Sequence, residues 1–91
     1  MNRRVNVLIS GIVQEVNFRR STQMAAQQLG VNGWVRNLPD GRVEACLEGE
    51  AGAVGALLDR CRSGPPSSRV DNLEIREDQI VAEFSDFSIK Y

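Results

Sequence analysis

The sequence predicts an α+β sandwich in which two helices lie on one face of a mainly antiparallel sheet. Three observations predict it. Apolar residues alternate with a period of two at 5–9 and 43–47. They recur at helical spacing at 18–29 and 54–61. These segments follow one another as strand, helix, strand, strand, helix, strand, with a short extra strand at the end.

Taken in order, Val5, Val7 and Ile9 define a strand over 3–10, with Leu8 partly covered on its other face. Residues 11–17 read as a loop. Phe18, Thr22, Ala25, Ala26 and Leu29 share a helix face, and Gly30 stops that helix after 18–29. Residues 31–37 form a second strand carrying Trp34, and Leu38-Pro39-Asp40-Gly41 is a turn. Val43, Ala45 and Leu47 then alternate with Arg42, Glu44, Cys46 and Glu48, so 31–49 is a hairpin that Gly49 and Glu50 break. Val54, Leu57, Leu58 and Cys61 line a second helix over 51–62, weakened by Gly52 and Gly55 at nearly ~1 kcal/mol each. After the loop 63–68 comes a fourth strand at 69–77, with Val70 and Ile75 inward. The end, 81–91, is a short strand around Phe87, Ile89 and Tyr91. This order is the ferredoxin-like split βαβ pattern.

With 91 residues, 42% of them apolar and 25% charged, the chain reads as one soluble domain, 1–91. It has no apolar run near the ~20 residues that span a membrane. Its start, MNRRVNVLIS, lacks a secretory core, so a cytoplasmic protein without membrane contact is expected; separately, a monomer is expected. Histidine is absent, which removes histidine acid–base chemistry, the Ser-His-Asp triad and histidine-ligated metals. Cys46 and Cys61 are too few for a zinc site and read as two free buried thiols. No metal and no cofactor is expected.

A net charge of −1 argues against nucleic acid as a partner. The halves differ, however: residues 1–45 hold six arginines against three acids, and residues 46–91 hold five bases against nine acids. That asymmetry points to an anion site in the first half. Topology points the same way. A helix between them makes the first and second strands run in one direction, so both end at the same edge of the sheet. Loop 11–17, the first helical turn with Arg19, and Asn37 all meet there. A helix N-terminus presents unpaired N–H groups and partial positive charge. A guanidinium beside it makes a site suited to phosphate. Asn37 offers an amide able to hold water. No good nucleophile is near.

These residues carry a resemblance. Gly11-Ile12-Val13-Gln14-Glu15-Val16-Asn17-Phe18-Arg19 resembles the acylphosphatase phosphate loop, G-x-V-Q-G-V-x-F-R. Leu29-Gly30-Val31-Asn32-Gly33-Trp34-Val35-Arg36-Asn37 resembles the second signature of that family, L-G-x-x-G-W-V-x-N. Asp40-Gly41-Arg42-Val43-Glu44, Gly64-Pro65-Pro66 and Phe87-Ser88-Ile89-Lys90-Tyr91 continue the likeness over the whole chain. The resemblance implies a ferredoxin-like enzyme that hydrolyses acyl phosphates to carboxylate and inorganic phosphate without a metal or covalent intermediate. It implies that Arg19 binds phosphate and Asn37 positions water. It implies that the backbone N–H groups of Glu15, Val16, Asn17, Phe18 and Arg19 cradle the phosphate.

One residue departs from the loop pattern. Glu15 stands where the pattern has glycine. A positive φ there costs a non-glycine residue roughly 1–2 kcal/mol. A carboxylate 4 Å from the substrate dianion adds up to about 4 kcal/mol per charge pair at an effective dielectric near 20. A loss of about 2–4 kcal/mol is roughly 30- to 1000-fold in rate. The alternative reading is therefore a catalytically impaired phosphate- or protein-binding module on the same fold. A stand-alone relative of the acylphosphatase-like domain of hydrogenase-maturation carbamoyltransferases is a third. Of the remaining residues, Gln14 reads as a loop-structuring amide, Trp34 as packing, and Arg20 and Arg36 as solvated.

Overall fold

The computed structural model describes residues 1–91. Its elements are β1 (Asn2–Ile12), α1 (Phe18–Leu29), β2 (Asn32–Asn37), β3 (Val43–Glu50), α2 (Ala51–Ser63), β4 (Arg69–Asp78) and β5 (Phe87–Lys90). The five strands form one sheet in the order β4-β1-β3-β2-β5. Three of its pairings are antiparallel and one, β2 with β5, is parallel. Both helices pack on one face, as the alternation requires. Val5, Val7 and Ile9 of β1 and Val43, Ala45 and Leu47 of β3 turn to that face and are fully buried. Phe18, Thr22, Ala25 and Ala26 of α1, and Val54, Leu57, Leu58 and Cys61 of α2, meet them from above. Val70 and Ile75 are half-buried against the edge of this core.

Several boundaries move for identifiable reasons. Gly11 and Ile12 belong to β1, not to the loop: after a register shift at Ser10 they pair with Val70 and Arg69 of β4. Gly11 has φ 130°, and a Cβ there would collide with the Arg69 carbonyl, so only glycine lets the bulged strands approach. Gly49 and Glu50 do not break β3; they remain paired with Arg3 and Asn2. Glu50 then starts α2 as an extended N-cap, its carboxylate accepting from the Ala53 N–H at 3.0 Å. Gly30 ends α1 as expected, in the left-handed conformation.

The largest correction concerns the outer face and the end of the chain. Val81 is not in a strand, and the last strand is only Phe87–Lys90. Because β4 and β5 lie at opposite edges, residues 79–86 must cross between them. They do so beneath the outer face, at the end of the sheet where β1 begins. The N–H groups of Val81 and Ala82 donate to Glu48 Oε1 at 3.1 and 3.3 Å. Asn32 Nδ2 donates to the Phe84 carbonyl at 3.3 Å, and the Gly33 N–H to that of Asp86 at 2.9 Å. Arg4 sits between Glu83, at 3.0 Å, and the Phe84 ring. This crossing buries Cys46 and Glu48, which alternation alone places on a solvated face. Cys46 and Cys61 are both free and buried. Burial pushes the Cys61 thiol up to about 11, so it stays protonated and unreactive at neutral pH.

Candidate functional site

The loop between β1 and α1 is held at both ends by buried apolar anchors, Val13 and Phe18. Between them Glu15 has φ 61° and Asn17 has φ 65°, while Val16 does not share their positive φ. Alternating signs of φ turn successive N–H groups toward one point, forming an anion-binding concavity. Asn17 is also the N-cap of α1. In its left-handed conformation its side chain makes no cap hydrogen bond; only its carbonyl engages, accepting from the Ser21 N–H at 3.0 Å. In consequence, no backbone N–H from Gln14 through Arg20 donates to an acceptor within the protein. Such groups need a partner, and at a helix N-terminus an anion suits them best.

Two contacts fix this loop from outside. Gln14 Nε2 donates to the carbonyls of Leu38, at 2.7 Å, and Arg42, at 2.9 Å, fastening the loop to the β2–β3 turn. Ser67 Oγ donates to the Val16 carbonyl at 3.4 Å. The structuring role read for Gln14 is what the geometry gives it.

β1 and β2 both run antiparallel to β3, so their C-terminal ends share one edge, as the topology requires. Asn37, the last residue of β2, therefore faces the same cleft as the loop. Its Oδ1 is buried with no hydrogen-bond partner in the protein. Arg19, in the first turn of α1, has no carboxylate within ion-pair distance. Its guanidinium lies 4.9 Å from the centre of the Tyr91 ring. The cleft, about 260 Å³, brings together Glu15, Asn17, Phe18, Arg19 and Asn37. Val16 does not line it; its side chain packs toward the core.

The sequence reading missed the far wall. Ile89 and Tyr91 line the cleft because β5 pairs in parallel with β2 and ends beside Asn37. A short apolar strand late in the chain gives no local signal of its sheet neighbour. Arg20 also lines the cleft and donates to Gln23 Oε1 at 2.6 Å. Arg36 is exposed, as read from the sequence, and pairs with Glu44 at 2.6 Å. Trp34 lies on the outer face rather than in the core, under Lys90 at 4.5 Å and Arg36 at 5.4 Å.

Glu15 meets the condition for backbone strain, since its left-handed conformation costs a non-glycine residue roughly 1–2 kcal/mol. Its exposed side chain adds a negative charge at the cleft. Glu15→Gly removes both effects, and kcat/KM for a neutral acyl phosphate is expected to rise about tenfold or more, which is ~1.4 kcal/mol. Steady-state kinetics of the two proteins checks this, and a fall in activity with the fold intact would show that Glu15 assists the reaction.

Comparison with known proteins finds relatives over the whole chain. A family model described as Acylphosphatase matches residues 5–89. An acylphosphatase of Geotalea uraniireducens is 50% identical over 91 residues, covering all of both chains. One from Syntrophobacter fumaroxidans is 53% identical over 89 residues, covering 98% of this chain and 92% of its own. The crystal structure of acylphosphatase from Bacillus subtilis superposes with a TM-score of 0.94 at 34% identity, covering all of both chains.

Proposed function

This chain belongs to the acylphosphatase family, and from that premise we propose that it hydrolyses acyl phosphates with Arg19 and Asn37 as its catalytic residues. The observation that carries the assignment of residues is one cleft holding three things: a run of unpaired N–H groups, an arginine without a carboxylate partner, and an orphaned amide oxygen.

The substrate phosphate occupies the loop, where the N–H groups of residues 15–19 and the Arg19 guanidinium bind its oxygens. Charge-assisted bonds of this kind are the strong ones, and those that tighten as charge moves onto the leaving oxygen lower the barrier. Asn37 Oδ1 accepts a hydrogen bond from the attacking water and aims its oxygen at phosphorus. Water adds, and the bond from phosphorus to the acyl oxygen breaks. The acyl oxygen leaves with the bonding pair as a carboxylate, and the proton lost by water ends on inorganic phosphate. A carboxylate is a good leaving group, so the reaction needs no strong general acid. The free thiols of Cys46 and Cys61 suit a reducing compartment, which supports placing the reaction in the cytoplasm. No helix is long and apolar enough to cross a membrane. No feature of the cleft favours a binding module without turnover.

Benzoyl phosphate is the test substrate. Hydrolysis should proceed at the same rate with and without EDTA, because the proposed phosphate donors are N–H groups and a guanidinium. Inorganic phosphate should inhibit competitively. Absence of turnover in the folded protein overturns the reading.

A further inference from the structure

Resting on the hydrolase reading above, we propose that Glu15 selects the acyl group, favouring acyl phosphates that carry an ammonium group on the acyl moiety. Glu15 is the one acidic side chain among the residues lining the cleft. It is exposed and pairs with no cation in the protein. It occupies a backbone conformation, φ 61°, that a side chain disfavours. A strained residue held at a ligand site is a reason to look for a role in its side chain.

The inner end of the cleft is closed by Val13 and Phe18, both buried. With phosphate seated against the loop, the acyl group has to extend outward, and the lining left for it includes Glu15, Ile89 and Tyr91. The nearby cation that phosphate does not engage, Arg20, is turned to Gln23 on its own helix. Arg20 keeps its charge, but it makes no ion pair with Glu15, so a neutral or anionic acyl group passes a carboxylate that no direct contact neutralises. One bearing an ammonium group supplies the missing counter-charge, while Ile89 and Tyr91 cover its carbon skeleton. For charges about 6–8 Å apart at a solvated rim, the attraction corresponds to roughly three- to thirtyfold in kcat/KM. Because the rim is wet, salt should reduce it.

The experiment compares benzoyl phosphate with 4-(aminomethyl)benzoyl phosphate, which have the same reacting group and differ in charge. The native protein should prefer the cationic substrate by about threefold or more in kcat/KM at low salt. Glu15→Gln keeps the side-chain size and should bring the ratio close to one. A native ratio near one, or a preference that persists in Glu15→Gln, overturns the selection by Glu15. Both outcomes leave the hydrolase reading intact, since that reading stands or falls on turnover of benzoyl phosphate itself.

Discussion

Arg19→Ala is expected to lower kcat/KM for benzoyl phosphate by about 10²- to 10⁴-fold. The guanidinium offers two charge-assisted hydrogen bonds to phosphate oxygens, each contributing about 1.5–3 kcal/mol, and ~1.4 kcal/mol is a factor of ten in rate. The side chain has no ion pair in the protein, so removing it leaves no carboxylate unpaired. The fold should persist, because Arg19 is only half-buried and the core contacts of this turn belong to Phe18 and Thr22. Inorganic phosphate, measured as a competitive inhibitor of the native protein and by direct titration of both proteins, should bind the variant more than tenfold more weakly. Native-like kcat and phosphate affinity in Arg19→Ala would remove this residue from the site.

Asn37→Ala should act differently. The amide is assigned to water, not to phosphate, so the loss belongs to the transition state. A fall in kcat of about 10²-fold with phosphate affinity within about threefold is the expected signature. The comparison is clean because the Asn37 amide oxygen has no partner in the protein whose loss would disturb β2. Lost phosphate binding with kcat unchanged would transfer Asn37 from the water to the phosphate.

These two residues were legible in the sequence because their meeting depends only on topology. A helix between two strands of one sheet makes the strands run in one direction, and Arg19 and Asn37 follow one from the first strand and the other from the end of the second. The core faces of both helices were legible for a similar reason: Phe18, Thr22, Ala25 and Ala26 express a local period. Residues 79–86 have no such period. Their path is set by which edges β4 and β5 occupy, and its effect falls on distant residues, burying Cys46 and Glu48 on a face that alternation marks as polar. The far wall of the cleft was hidden for the same cause, since Ile89 and Tyr91 reach it only through the parallel pairing of β5. The left-handed backbone at Asn17 was also unread, although asparagine is among the few residues that adopt it readily.

The place of β5 in the sheet has a consequence for how the protein is made. Every residue proposed to touch phosphate or water is synthesised by Asn37, yet β2, which carries Asn37, remains an edge strand until Phe87–Lys90 pair with it. β1, the strand leading into the loop, likewise lacks one neighbour until Arg69–Asp78 arrive. A nascent chain thus emerges with its chemistry written early and its scaffold completed late. Pairings this distant in sequence close slowly, because the intervening loops must lose their freedom first. During translation the exposed edges of β1 and β2 are open to pairing with other chains, which makes the interval before β4 and β5 emerge the period of greatest risk from aggregation. Completion of the last strand is therefore the event that gives β2 its second neighbour and brings Ile89 and Tyr91 to the cleft.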